Sequence, residues 1–203
     1  MDWEILYADN HKEWKLYLDS LYPYFDICRD KNVLDIGPYI GIQSQLIRAY
    51  NPKSLTLVEP NKDVIELLNT HFKSENTEVV NDDIFLYLET PRKFDVVSCC
   101  GVLYHFHSPL YLLELIANRI SPAYVCIETY TNPNPTINVE DDNSPGARQL
   151  KNNWKSVNMA IKLPREIFIT AMENLGYKVI IDTKIEKESA LYGLVNFWIF
   201  EKI

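Results

Sequence analysis

From Asn32 onward the chain alternates five times between a short apolar run and a stretch with helical spacing. "NVLDIG" leads into "IGIQSQLIRAY", "SLTLVEP" into "NKDVIELLNTHF", "TEVVN" into "DIFLYL", and "FDVVSCC" into "PLYLLELIANRI"; "YVCIETY" closes the series. Strands that are apolar throughout, rather than at every second position, are buried on both faces. Strands separated by helical segments cannot pair as hairpins and must run parallel. Few architectures satisfy both conditions. The punctuation agrees with this order. Asn51-Pro52 stops the first helix, Asn61 can cap the second with Asp63 in its first turn, and Ser108-Pro109 reads as an N-cap followed by proline at N1.

The rhythm breaks at a long polar segment, 131–163, and then resumes with the helix "PREIFITAMENLGY", which ends at Gly176. Two strands follow, "KVIIDTKI" and "LVNFWIFEK". Their connection is too short for a helical crossover, so they should pair antiparallel. Before the first strand, apolar residues from Asn10 to Ile27 suit an amphipathic helix broken near Pro23. With 203 residues, the expectation is one α/β domain over 1–203. Residues 1–31 would form an N-terminal helical cap, and 131–163 an insertion or lid after the fifth strand. Long loops in compact domains are usually functional, and Arg148, Trp154 and Asn158 are candidate acceptor contacts there. Trp3, Tyr7 and Trp14 could cover the site from the other side.

In an open parallel sheet, ligands bind at the carboxyl ends of the strands near the switch point. Gly37 ends the first strand and Gly41 opens the next helix. A dinucleotide loop, G-x-G-x-x-G, would fall on Gly37, Tyr39 and Ile42 and fails at two of three glycines. A pyrophosphate needs very close backbone approach, so a dehydrogenase is disfavoured, whereas a cofactor without phosphate needs less. Tyr39 could lay its ring against an adenosine or an amino-acid group. Glu59, at the tip of the second strand, is placed to accept hydrogen bonds from two ribose hydroxyls, with Pro60 beside it. Asp82 and Asp83 end the third strand, where one could take an adenine amino group. Asp35 faces the turn and could meet an ammonium, directly or through water.

"VLDIGPYIG", "LTLVEPN", "VVNDDIF" and "FDVVSCCGVLYH", in this order and spacing, resemble the class I S-adenosylmethionine-dependent methyltransferases. The likeness is clear over 32–128 and extends to the C-terminus through the last hairpin. It implies a Rossmann-like three-layer sandwich with a seven-stranded, mostly parallel sheet and an antiparallel C-terminal hairpin. The family pattern D/E-x-G-x-G-x-G reads here Asp35, Gly37, Tyr39, Gly41, so tyrosine replaces the middle glycine. The resemblance implies that Gly37 and Gly41 pass under the methionine part, Glu59 holds the ribose, and Asp83 with Ile84 frames the adenine, Asp82 being the rival acid. Cys100 would end the fourth strand beside the donor. The implied cofactor is S-adenosylmethionine, with S-adenosylhomocysteine as product.

Methyl transfer from a sulfonium needs alignment first, and a base only where the acceptor must lose a proton. Tyr104, His105 and His107 stand in "GVLYHFHSPL", between the fourth strand and its helix, and are the candidates for orienting or deprotonating the acceptor. No carboxylate completes a metal site with the two histidines. The D/N-P-P-Y/F motif of amino-methylating enzymes is replaced by Ser98-Cys99-Cys100-Gly101, and no cysteine follows a proline, which argues against a cysteine nucleophile. "GVLYH" with "SPL" also resembles the tRNA wobble-uridine enzymes that transfer a carboxymethyl group from carboxy-S-adenosylmethionine. Those enzymes are longer and carry basic elements.

Net charge is -8 with no basic stretch, which argues against a nucleic-acid partner and for a small-molecule acceptor methylated on oxygen or nitrogen. The alternatives are RNA modification of the wobble-uridine kind and a noncatalytic binding subunit. No apolar run reaches a membrane span, and "MDWEILYADNHKEW" is not a basic-then-apolar leader. Four cysteines without metal-ligand spacing suit a reducing compartment, so the cytoplasm is expected.

Overall fold

The computed structural model describes residues 18–141, 159–185 and 194–203. β1 (Asn32–Ile36) is covered on both sides, and four of its five residues are buried. It pairs in parallel with β2 (Ser54–Val58) on one edge and β4 (Val96–Cys100) on the other. β3 (Thr77–Val80) extends the sheet beyond β2, and β5 (Tyr124–Thr131) beyond β4, both parallel. The last two strands, β8 (Tyr177–Ile185) and β9 (Leu194–Lys202), form the expected antiparallel hairpin. β9 inserts between β5 and β8, giving the order β3-β2-β1-β4-β5-β9-β8. The order reverses between β1 and β4, so the switch point lies at their carboxyl ends.

α1 (Ile42–Ala49) and α2 (Lys62–Phe72) cover one face, with Leu46, Ile47, Val64, Leu68 and Phe72 in its core. α3 (Ile84–Tyr87), α4 (Pro109–Leu115) and α5 (Arg165–Asn174) cover the other, where Leu112, Leu113, Phe168 and Met172 meet Trp198 and Phe200. Trp198 is fully buried and its indole N–H is satisfied by Asp182 Oδ1 at 2.9 Å. Asn61 caps α2 as the sequence predicts, accepting from the Asp63 N–H at 3.0 Å. Ser108 stands at the N-cap of α4, but its side chain makes no capping bond. α4 then widens into a π-helix, Ile116–Ile120, that ends at Ser121 in the left-handed region.

The helix breaks near Pro23 as expected: residues 18–21 are α-helical and the chain continues as a 3-10 helix, Tyr22–Cys28, with the proline in its first turn, where its fixed φ and missing N–H are tolerated. Phe25 and Tyr24 pack against Phe197 of β9, so this part belongs to the core. Trp3, Tyr7 and Trp14 lie outside the described residues, as do Arg148, Trp154 and Asn158. The polar segment is not all loop. β6 (Asn138–Asp141) and β7 (Met159–Lys162) form a separate antiparallel pair. These strands are four residues each, and "NVED" carries too little apolar character to read as a strand. Among the described residues no helix is long and apolar enough to cross a membrane.

Candidate functional site at the carboxyl edge of the sheet

The turn after β1 runs through three residues in the left-handed region: Gly37 (φ 63°), Tyr39 (φ 52°) and Gly41 (φ 84°). The glycines there are packed, not open. A Cβ on Gly37 would lie 2.6 Å from Val102 Cγ2, and one on Gly41 would lie 2.3 Å from the Phe72 ring. Tyr39 takes a left-handed conformation of the kind glycine adopts freely, at a cost of about 1–2 kcal/mol for a side-chain-bearing residue. Glu59 holds it there, with Oε2 accepting the Tyr39 N–H at 3.0 Å.

Glu59 ends β2 and is only 5% exposed. Its Oε1 accepts the Asn61 N–H at 2.9 Å. Each carboxylate oxygen has a second lone pair, so a vicinal diol can still be gripped. Burial raises the Glu59 carboxyl above its ordinary range, while the Asn61 and Tyr39 N–H groups and nearby His105 pull it back. Asn81 Nδ2 donates to the carbonyls of Glu59 and Pro60, fastening the strand tip to the end of β3.

Asp35 does not look out at a ligand. It is 2% exposed and accepts the Ser44 hydroxyl at 2.6 Å, tying β1 to α1. Burial pushes its carboxyl up to about 6, against hydrogen bonds from Ser44 and Ser98 that lower it. Asp83 caps α3, its Oδ1 accepting the Phe85 N–H at 2.7 Å and the Leu86 N–H at 3.4 Å. Asp82 Oδ1 accepts the Asp83 N–H at 2.8 Å. Both acids are half-buried at the end of β3, and Ile84 behind them is in the core. Cys100 is buried, its thiol pushed well up by burial and by neighbouring Cys126, Glu128 and Asp35, so it stays protonated.

Beyond β4, Tyr104 and His105 form a short 3-10 turn, Leu103–His105, with ring centroids 4.1 Å apart. Tyr130 of β5 meets Tyr104 edge to face at 4.9 Å. Lys162 of β7, itself buried, sits 5.5 Å from the Tyr130 ring. His107 is exposed and lies outside this group, so the structure brings together two of the three residues named from "GVLYHFH". Among the described residues no group of three or more His, Cys, Asp or Glu could hold a metal ion. Sequence reasoning missed Tyr130, Lys162 and Glu128. The signal for Glu128 was a charged residue inside an apolar strand; Lys162 had none, because its strand is too short to recognise.

A family model described as a methyltransferase domain matches residues 8–180. The chain is 28% identical over 118 residues to a tRNA U34 carboxymethyltransferase of Nautilia profundicola, covering 54% of this chain and 38% of that protein. It is 34% identical over 98 residues to a tRNA U34 carboxymethyltransferase of Helicobacter pylori, covering 45% and 37%. The chain thus spans well under half the length of these relatives. In fold it is similar to a Burkholderia thailandensis 1,6-didemethyltoxoflavin-N1-methyltransferase, with TM-score 0.69, 12% identity and coverage of 96% and 80%. It is also similar to the magnesium protoporphyrin IX methyltransferase of Synechocystis, with TM-score 0.67, 11% identity and coverage of 99% and 89%. The relatives named for tRNA overturn the expectation that a nucleic-acid partner is unlikely, and nothing among them shows the small-molecule acceptor read from the charge. Net charge is a sum over the whole surface and is blind to where single cations sit.

Proposed function

Because the chain belongs to the methyltransferase domain family, with the class I fold and S-adenosylmethionine as donor, we propose that it modifies a base in RNA, a tRNA anticodon uridine being the leading acceptor. The observation that carries this reading is the likeness to the tRNA U34 carboxymethyltransferases. The site supports it. The rings of Tyr104, His105 and Tyr130 offer stacking faces for an extruded base, and Lys162 places a cation behind them.

The donor fits the residues present. Glu59 keeps one lone pair per oxygen beside a turn of three left-handed residues, the requirement for gripping a ribose next to a closely approaching backbone. Glu59 would hold the ribose and Asp82 or Asp83 the adenine edge. When bound, S-adenosylmethionine supplies a methyl already activated by its sulfonium. The chain's own task is then to exclude water and hold the acceptor in line. His105 would orient the acceptor or take its proton, a role supported by its lying close enough to Glu59 to lower that carboxyl's pKa. The relatives' name favours a carboxymethyl group over a methyl. Four buried thiols, none paired, suit the cytoplasm, where this reading puts the enzyme.

The test is to incubate total tRNA with the enzyme and either S-adenosylmethionine or its carboxylated derivative. The RNA is then digested and the new nucleoside identified by mass. A methylated or carboxymethylated uridine derivative supports the reading, and the donor that works decides which group moves. Failure to modify any RNA with either donor, from an enzyme that binds S-adenosylhomocysteine, would sink it.

A further inference from the structure

The outer faces of α4 and α5 do not close on each other. Between them lies an open, mostly apolar cleft of about 350 Å³. Leu110 borders it on the α4 side, and Glu166, Ile167, Thr170, Ala171 and Asn174 on the α5 side. The opposite sides of the two helices are spent on the core, where Leu112, Leu113, Phe168 and Met172 are buried. What is left outside is more apolar than a solvated face needs. Leu110 is 36% exposed and Tyr111 is 51% exposed. The Tyr111 ring stacks on Phe85 of α3 at 6.0 Å, and Leu86 next to Phe85 is 59% exposed. Single apolar side chains scattered over a surface need no explanation, but a run of them beside a cleft marks a contact surface.

The charge around the cleft is one-sided. Glu114 stands one turn past Leu110 on α4, and Glu166, Thr170 and Glu173 share a face of α5. All three glutamates are exposed. The two helices hold one cation, Arg165, which is bonded to Asp182 and lies 3.7 Å from Glu166. Among the described residues no cation pairs with Glu114 or Glu173. Arg119 lies beyond α4 in the π-helix, where its carbonyl accepts the Arg92 N–H at 3.3 Å.

We propose that this cleft is the docking site of a basic amphipathic helix from a partner protein. Its apolar face would sit between α4 and α5, and its lysines or arginines would meet Glu114, Glu166 and Glu173. An apolar groove takes the side chains at i, i+3 or i+4, and i+7 of such a helix. α5 has ten residues and is about 15 Å long, enough to seat about three turns. The acidic rim selects the occupant. A second copy of this chain would set glutamate against glutamate, and RNA would bring phosphate to the same acids. The docking site stands on the cleft and its rim alone. What the partner adds rests on the RNA reading, because a chain of net charge -8 gains from it cations for a polyanion.

Fluorescence anisotropy tests this on the full chain without RNA, so that its failure and the failure of the RNA reading are separate results. The probe is a labelled peptide of about 14 residues with leucine on one helical face and lysine on the other. A scrambled peptide of the same composition, with no apolar face, is the control. The amphipathic peptide should bind about tenfold or more tightly than the scrambled one. Ala171→Glu adds an acid but fills the cleft, and should weaken the amphipathic peptide by about tenfold or more. Glu114→Lys combined with Glu173→Lys should weaken it as well, with S-adenosylhomocysteine binding as in wild type to show that the variants are folded. Stronger binding to Ala171→Glu, or equal binding of the two peptides, would mean charge attraction without a seat and would overturn the proposal. Absence of binding would overturn it too. A wild-type chain that is dimeric in solution and monomeric as Leu110→Lys would assign the cleft to a second copy instead.

Discussion

Replacing Asp35 by asparagine should erase one component of the protein's pH-dependent stability. Asp35 is buried at 2% exposure between β1 and α1, and its carboxyl is pushed from 3.8 to about 6. The folded state therefore holds a proton on Asp35 where the unfolded chain has released it. That contribution is fully present below the unfolded pKa and is lost as pH rises through the folded one. Over the full window the shift is worth about 3 kcal/mol, at about 1.4 kcal/mol per pH unit. Between about pH 5 and about pH 7.5, the accessible part, the wild type should lose about 1.4 kcal/mol through this group. Asparagine has the same shape, and its Oδ1 can still accept the Ser44 hydroxyl. Urea unfolding of both proteins at the two pH values isolates the term, because every other titrating group cancels in the difference. The gap, variant minus wild type, should widen in the variant's favour by about 1.4 kcal/mol on going to the higher pH. A gap that does not change with pH would show that Asp35 is ionised in the folded state throughout, and the burial argument would fail.

Gly41→Ala places a Cβ 2.3 Å from the Phe72 ring at φ 84°, and should cost about 3 kcal/mol of stability in urea unfolding, partly restored by Phe72→Leu. Glu59→Gln must point an N–H donor at either the Tyr39 or the Asn61 N–H. It should destabilise by about 1–3 kcal/mol and weaken S-adenosylhomocysteine in calorimetry; no change in either would remove Glu59 from both roles. Tyr130→Leu removes the ring between Lys162 and Tyr104. It should weaken tRNA binding by about 1–3 kcal/mol in a filter assay while donor binding stays as in wild type. His105→Ala should lower the rate with the true acceptor and flatten the rising limb of the pH–rate profile, and an unaltered profile would exclude it as the base.

The sheet was legible because apolar runs and helical spacing are local signals, and the short link between the last strands left them no way to run parallel. The candidate site was less legible in role. The structure brings Asp35, Glu59 and Asp83 to the carboxyl edge of the sheet, where Asp35 ties two elements together and Asp83 caps a helix. A carboxylate reads the same in sequence whether it faces a ligand or a backbone N–H. β6 and β7 escaped because pairing, and not composition, makes them strands. The charge count that argued against nucleic acid does not contain the position of Lys162 beside Tyr130, which is a tertiary fact.

Tyr39 shows how the site tolerates a departure from the glycine pattern. A left-handed tyrosine is unfavourable alone, and a hydrogen bond to a charged acceptor contributes about 1.5–3 kcal/mol, enough to offset it. Glu59 secures the loop, and in the proposed function it also grips the donor, which would couple donor affinity to loop conformation. Tyr39→Gly separates the two. It removes the left-handed strain while leaving the N–H that Glu59 accepts, so the glycine turn should keep its path and S-adenosylhomocysteine should bind within a few-fold of wild type if the ring is dispensable. A loss of about tenfold or more would assign the tyrosine ring itself a contact with the donor, for which a half-buried aromatic at this edge is suited.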